Sequence, residues 1–469
     1  MQKKYFGEQT QKALKNFPFD TSPFHREFII ALAQIKKAAA IANFTAGNFN
    51  RNVKNAIVKA ADEIIEHGTL TRPSATLSQR ERVKRKFFDY QFPLPSLMGG
   101  AGTSIHMNVN EVIASRANEI LNKPLTPTLS RKGRGSEVVN ANDHVNRSQS
   151  TNDVNPTAIK VASANLLDQL SSVLENLSAA LESKGKQFKN ILKLARTHLQ
   201  DAVPITLGEE FFAYAEIIRG HQKEITRVKS LALTLHLGGT AVGNSVNASP
   251  RYIKSVYKEL NKITKQNFIP AKNFVAHTSS SSDFLQISQA ITALCLDCSK
   301  IASDLRLMSS GPRGGFGEIT LAELQNGSSI MPGKVNPILP ETVNVLYYTV
   351  SGNNLTIEHA AHGAQLNLAV MVPPVADKLI HSIKMASQVL QIFTDRCIKT
   401  IKANPKRCRE LLEKSTAYAT LLTPKFGYET MKQVVKEAVS SGKTLRDVVV
   451  GKKLLTNKEF NKAVNFRDV

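Results

Sequence analysis

"NPTAIKVASANLLDQLSSVLENLSAALESKG", residues 155–185, is the stretch on which the fold reading turns. Leu166, Leu170, Val173, Leu177 and Leu181 recur at spacings of three and four, which puts them on one face of a long amphipathic helix. Pro156 near its start suits a first helical turn, where a missing N–H costs nothing. Similar long patterns follow at about 207–236, 281–309, 338–361 and 375–398. Five long helices with short links form a bundle, and stripes that are apolar on more than one side imply burial against partner subunits as well. Upstream, from about residue 20 to 120, shorter helical segments alternate with loops such as "FPLPSLMGGAGTS". A connection rich in Pro, Gly, Lys and Arg follows at about 122–137, and its cluster "TLSRKGRGSE" at 128–137 reads as a flexible surface loop. After "ANPKRC" at 403–408 a smaller, very basic helical region runs to the end. There is no βαβ alternation, no nucleotide-binding glycine pattern and no internal repeat. The expectation is an all-α fold in three parts, 1–145, 146–398 and 399–469, with the long bundle in the middle.

Composition narrows the function classes. The 469 residues are 42% hydrophobic and 21% charged, which is ordinary for a chain with a large buried core. The most apolar stretch, "FIIALAQIKKAAAIANF" at 28–44, is split by Lys36 and Lys37, so no membrane-spanning run is expected. The N-terminal residues lack the apolar core of a secretion signal, and the expected location is cytoplasmic. Four cysteines make no disulfide framework. The CxxC at Cys295 and Cys298 lies on the apolar stripe of Phe284, Ile287, Ile291, Leu294 and Ile301, where core packing is the simpler reading. The net charge of +23 raises nucleic-acid binding. The basic residues are scattered, however, and aromatics are only 6% with no stacking motif. A positive field of this size would instead speed the approach of small dianions.

Four polar segments stand out as interrupting or ending helices: "GGAGTS" at 99–104, "SQSTND" at 148–153, "ARTHLQDAVP" at 195–204 and "NGSSIMPGKVNP" at 326–337. Singly, their Ser, Thr and Asn residues read as helix caps. Together they offer many neutral donors, one His and one Lys, and almost no acid. With helix N-termini added, such a set suits a small molecule bearing two carboxylates.

The segment "GSSIMPGKVNP" resembles the characteristic segment of the aspartase/fumarase superfamily. "GGAGTS", "NDHVNRSQSTND", "RTHLQDAVPITLGEEF" and "GGTAVG" occur in that family's order, and the likeness runs from "YFGEQT" to "GYETMKQVVKEA". The resemblance implies a homotetramer around a multi-helix core, with active sites shared by three subunits. It also implies an elimination: a proton leaves the carbon beside one carboxylate and a group leaves the neighbouring carbon. By the same resemblance Ser328 is the general base, while Lys334 and Asn336 hold the carboxylate that becomes the enediolate. Thr103, Ser150, Thr151 and Asn152 bind the other carboxylate and the leaving group, and Thr197 and His198 complete the pocket. Chemistry alone would nominate His198 as the base, since its ordinary pKa lies near neutrality. Gly327 and Gly333 allow a tight loop around Ser328, and the glycines of "SSGPRGGFGE" at 309–318 suit a lid.

The resemblance leaves two leaving groups open, ammonia from L-aspartate or water from L-malate. "NPILPETVN", Val203 and the Arg-Cys pair of "PKRCRELLEKS" resemble aspartases, which favours release of ammonia and fumarate without an organic cofactor. A fumarate hydratase is the alternative, and a non-enzymatic nucleic-acid-binding protein a third. Activation by Mg²⁺, as in some relatives, stays open. Departures from the family pattern are His106 where "N-M-N" has its first asparagine, Asn140 and Ala141 in place of His-Pro, Asn244 for threonine and Ala369 for asparagine.

Overall fold

A computed structural model describes residues 3–69, 78–122 and 138–464. The basic stretch at 128–137 lies outside the described residues. Helices dominate in chain order: α1 (Glu8–Asn16), α2 (Arg26–Thr45), α3 (Arg51–Gly68), α4 (Gln79–Gln91), α5 (Thr103–Asn122), α6 (Thr151–Phe188), α7 (Leu207–Leu233), α8 (Pro250–Thr264), α9 (Phe274–Ser279), α10 (Ser282–Met308), α11 (Ile338–His362) and α12 (Val372–Arg396). The C-terminal set is α13 (Pro405–Lys414), α14 (Tyr418–Phe426), α15 (Tyr428–Ser441), α16 (Leu445–Gly451) and α17 (Asn457–Ala463). Among the described residues, strands are confined to three short two-stranded pairs, so the all-α expectation holds. The five long periodic stretches are α6, α7, α10, α11 and α12.

Two compact units divide the chain. The first comprises Met1–Ser171, Lys223–Ala293 and Tyr348–Ala386; the second comprises Ser172–Gln222, Leu294–Tyr347 and Ser387–Val469. Each long helix contributes one stretch to each unit. Polar links tie these helices laterally. In the second unit Tyr214 of α7 donates to Asp304 of α10 at 2.8 Å, and Asn344 of α11 donates to the Ser299 carbonyl of α10 at 2.9 Å. In the first, Asn353 of α11 donates to Ser382 of α12 at 3.1 Å.

In the first unit α2 packs on α3 and α8, and α5 packs on α1 and α3. Among the described residues, α2 alone is long and apolar enough to cross a membrane. Most of it is buried in this unit, and Lys36 near its centre is fully enclosed, so it is a core helix. In the second unit α14–α17 gather around Leu422, Met431, Val448 and Phe460. Side-chain caps at Asn50, Ser249, Asn404, Thr444 and Thr456 hold helix starts, each worth about 1 kcal/mol. The CxxC is core packing: Cys295 and Cys298 are buried, and burial pushes the Cys295 thiol up to about 12.

Two sequence expectations need correction. Pro156 is not in the first turn, because α6 begins at Thr151. Proline cannot donate to the carbonyl four residues back, and His236 Nε2 lies 3.2 Å from that Asn152 oxygen instead. An outside partner thus lets the helix start a turn early. Second, "ARTHLQDAVP" neither interrupts nor ends a helix. It forms the antiparallel hairpin of β1 (Leu192–Thr197) and β2 (Gln200–Thr206), with His198 and Leu199 at φ 53° and 58° in the turn. A two-residue loop of that hand matches the strand twist.

Candidate active site

Of the residues singled out, Thr103, Ser150, Thr151 and Asn152 lie in the first unit, and Thr197, His198, Ser328, Lys334 and Asn336 in the second.

In the first unit the start of α6 is the organising feature. The Ser150 carbonyl accepts from Val154 N at 3.1 Å, and its hydroxyl accepts from Asn152 N at 3.3 Å. Ser150 therefore does cap its helix. Asp153, fully buried, accepts from Ser150 N at 2.9 Å, Gly238 N at 2.9 Å and Thr240 N at 3.0 Å. Asn152 Nδ2 donates to the Ala241 carbonyl at 2.7 Å. The motifs "SQSTND" and "GGTAVG", some 85 residues apart, are thereby stitched together through Asp153. Burial lifts the Asp153 carboxyl to about 6, against the pull of these N–H donors and of the Lys36 charge.

Thr103 opens α5 just after a turn in which Gly100, Ala101 and Gly102 all have positive φ, 66°, 54° and 75°. A Cβ on Gly102 would sit 2.8 Å from Asn155 Nδ2. That amide donates to the carbonyls of Ala101 and Gly102, both at 3.0 Å, so "GGAGTS" is also fastened to α6. Thr103 Oγ1 donates to the Gly100 carbonyl at 2.8 Å.

His106, one turn along α5 from Thr103, sets its Nδ1 2.8 Å from Thr151 Oγ1 and its Nε2 2.6 Å from Lys36 Nζ. Lys36 also donates to Asn146 Oδ1 at 3.0 Å and Gln149 Oε1 at 2.9 Å. Neither Lys36 nor Asp153 was legible as part of a site. The available signal for Lys36 was a lysine on the buried face of an otherwise apolar helix.

In the second unit the hairpin that carries Thr197 and His198 at its tip is anchored by charge. Lys193, 3% exposed, bridges Glu210 at 2.8 Å and Glu318 at 2.9 Å, and Arg196 pairs with Glu318 at 2.8 Å. Burial alone would lower the Lys193 ammonium, but the two carboxylates hold it above its ordinary value. Arg196 also lies 4.0 Å from the centre of the Phe316 ring. The glycine-rich segment 309–318 and the hairpin are thus held together through Glu318 and Phe316.

The segment 326–337 forms a closed, largely exposed loop before α11. Gly327 N donates to the Lys334 carbonyl at 2.9 Å, and Asn336 Nδ2 donates back to the Gly327 carbonyl at 2.7 Å. Gly333 takes a φ of 73°, and a Cβ on Gly327 would meet the Lys334 oxygen at 2.1 Å, so both glycines are required by backbone geometry. Inside the loop Ser328 Oγ accepts from Ile330 N at 3.1 Å and Met331 N at 2.9 Å. These are the bonds of a serine that caps its own turn, and the same two donors would stabilise negative charge on Oγ.

The departures have local roles. Asn140 accepts from Asn142 N and Asp143 N at the start of a single wide turn, Ala141–Val145. Asn244 accepts from Val246 N at 3.3 Å, and Ala369 is buried with its N–H on the Thr278 carbonyl. Among the described residues no three His, Cys, Asp or Glu side chains gather as a metal site.

A lyase family profile matches residues 1–352 and a fumarase C C-terminus profile matches 419–469. A Bacillus sp protein named aspartate ammonia-lyase is 41% identical over 98% of this chain and 93% of its own length. Among solved structures, a fumarate lyase:delta crystallin from Brucella melitensis bound to cobalt superposes with a TM-score of 0.88 at 38% identity, over 99% of this chain and 95% of that one. A class II fumarase from Schistosoma mansoni gives 0.89 at 32% identity, with the same coverage of 99% and 95%. With the polar segments in the family's order and both profiles matched, the chain belongs to the lyase family of the aspartase/fumarase superfamily.

Proposed function

We propose that the chain is an aspartate ammonia-lyase that converts L-aspartate reversibly to fumarate and ammonia. The observation that carries the reading is Ser328 Oγ, held in a glycine-closed loop with two backbone N–H groups pointed at it. A serine hydroxyl is a poor base in water; an alkoxide flanked by such donors is a competent one. Ser328 takes the proton from the carbon beside the substrate's β-carboxylate, and the electron pair of that C–H bond spreads into the carboxylate. Lys334 and Asn336 stabilise the resulting enediolate. The carbon–nitrogen bond then breaks, its electron pair leaves with ammonia, and the double bond of fumarate forms. Thr103, Ser150, Thr151 and Asn152 bind the other carboxylate and the departing amine. Thr197 and His198 orient the substrate from the hairpin tip.

The relatives named as aspartate ammonia-lyases support ammonia over water as the leaving group. A homotetramer with each site shared by three copies belongs to the same reading, as do a cytoplasmic location and the three-part organisation 1–145, 146–398 and 399–469. Its support is apolar surface left exposed on long helices, including Leu296, Leu307, Val345, Leu355 and Ile392. No cofactor is part of the proposed chemistry; whether Mg²⁺ activates is settled by assay with and without a chelator.

The test is absorbance in the fumarate band with L-aspartate and with L-malate separately, alongside an ammonia determination. Fumarate and ammonia from aspartate is the expected result; fumarate from malate alone would overturn it. Ser328→Ala should abolish nearly all turnover, beyond the ~10²–10⁴-fold typical of an acid–base group. It should leave the particle size in light scattering unchanged.

A further inference from the structure

We propose that Lys36 and His106 are positioning residues that lock the Thr151 hydroxyl as a hydrogen-bond donor, so that this part of the site favours a carboxylate over an ammonium group. The inference deepens the function proposed above and rests on Thr151 touching the substrate.

The argument is a count of hydrogens. Gln149 commits its Nε2 to the carbonyls of Val145 and Arg147, at 3.1 and 3.0 Å. Its Oε1 is therefore the atom that faces Lys36. Asn146 turns its Nδ2 toward the Gln149 carbonyl at 3.4 Å, so its Oδ1 faces Lys36 too. Lys36 Nζ thus spends two hydrogens on amide oxygens, and the third neighbour is His106 Nε2. Three acceptors match the three hydrogens of an ammonium. Burial pushes the Lys36 ammonium well below its ordinary value and the Asp153 carboxylate opposes that push; the full set of acceptors favours the charged form further. Burial, and next the Lys36 charge, likewise push His106 well below its ordinary value, so its ring is neutral at pH 7.

A neutral ring that accepts at Nε2 carries its proton on Nδ1. Nδ1–H then donates to Thr151 Oγ1, which cannot return its own proton to the ring. Thr151 is half-buried, and no acceptor for its hydroxyl proton lies among the described residues. That proton is available to a ligand. A carboxylate only accepts and so completes the chain Lys36–His106–Thr151–carboxylate, each link polarising the next. An ammonium group only donates; it can reach only the second lone pair of Thr151 Oγ1 and leaves the hydroxyl proton without an acceptor.

Two substitutions divide the chain at its middle. His106→Asn places an amide N–H where Nδ1 was and gives up the contact with Lys36. His106→Gln reaches Lys36 with its Oε1 and leaves nothing to donate to Thr151. We expect Thr151→Val to weaken fumarate binding in calorimetry, and to raise the KM for L-aspartate, by about 10- to 100-fold. His106→Gln should follow it at about tenfold, with kcat changed less, whereas His106→Asn stays within about threefold of wild type. The double variant Thr151→Val/His106→Gln should bind no more weakly than Thr151→Val alone, because both act through one hydroxyl. Multiplying effects, or an unaffected His106→Gln, would overturn the proposal. Nitrogen-15 shifts of the His106 ring, assigned by their loss in His106→Asn, test the tautomer without relying on variant folding. Nδ1–H supports the relay and Nε2–H refutes it. A wild type that shows this binding pattern yet releases no ammonia from aspartate would overturn the proposed function and leave the relay standing.

Discussion

Gly327→Ala is the substitution that most directly tests how the loop works. The added Cβ would lie 2.1 Å from the Lys334 carbonyl oxygen, whereas ordinary contact begins at 3.4 Å. The two sides of the loop must therefore separate by about 1.3 Å, the difference between those distances. That opening weakens the Gly327–Lys334 bond at 2.9 Å and the Asn336–Gly327 bond at 2.7 Å, each worth about 0.5–1.5 kcal/mol. It also displaces Ser328, which sits next in the chain. A misplacement of roughly 1 Å in a reacting group costs about 10²-fold in rate, so kcat for L-aspartate should fall by about that factor or more. Because the loop is exposed and built from local contacts, the melting temperature should hardly move. Gly314→Ala, where a Cβ meets nothing within 4 Å, should behave as wild type. The assay is the initial rate of fumarate formation, with calorimetry on the same samples. Gly327→Ala activity within threefold of wild type would refute the idea that loop closure sets the position of Ser328. Loss of rate together with loss of the folded state would refute its local character.

Other outcomes follow from the buried charges. Burial alone would raise the Asp283 carboxyl, but the hydrogen bond from His277 and the Lys160 ammonium bring it down to about 2. Its folded pKa is thus below the ordinary ~3.9 of an unfolded aspartate, so its contribution is present above about pH 4 and lost as pH falls toward 2. Asp283→Asn should be less stable than wild type in urea at neutral pH, with the gap closing across that window; a gap that widens on acidification would contradict the assignment. Lys193→Met leaves half-buried Glu210 without its cation and fully buried Glu318 with Arg196 alone, and calorimetry should register a loss of up to about 3–5 kcal/mol. The four cysteines are all buried and unpaired, so a thiol reagent should label them only as fast as the protein unfolds; rapid labelling of Cys295 or Cys298 in the native protein, located by peptide mapping, would mean the CxxC is accessible.

The start of α6 marks how far the sequence could be read. Helical periodicity is a local property, and the spacing of Leu166, Leu170, Val173, Leu177 and Leu181 was enough to identify this helix. It could not locate the first residue, because the early start depends on His236, a partner far along the chain. The same division holds for the hairpin at 192–206. Its polar residues looked like a helix end, since nothing in "ARTHLQDAVP" announces that the turn residues take positive φ.

What the sequence determined by itself was therefore the all-α class, the five long helices and, through the order of its polar segments, the family and the list of candidate residues. Each depends on neighbours within a few positions or on short motifs. Only the tertiary structure decided which distant groups meet. Lys36 reaches His106 across 70 residues and Gln149 across 113, Asp153 ties down Gly238 and Thr240, and Glu318 anchors Lys193 and Arg196. A buried charge or hydroxyl must find its partners wherever packing brings them, and periodicity carries no record of which residue that will be.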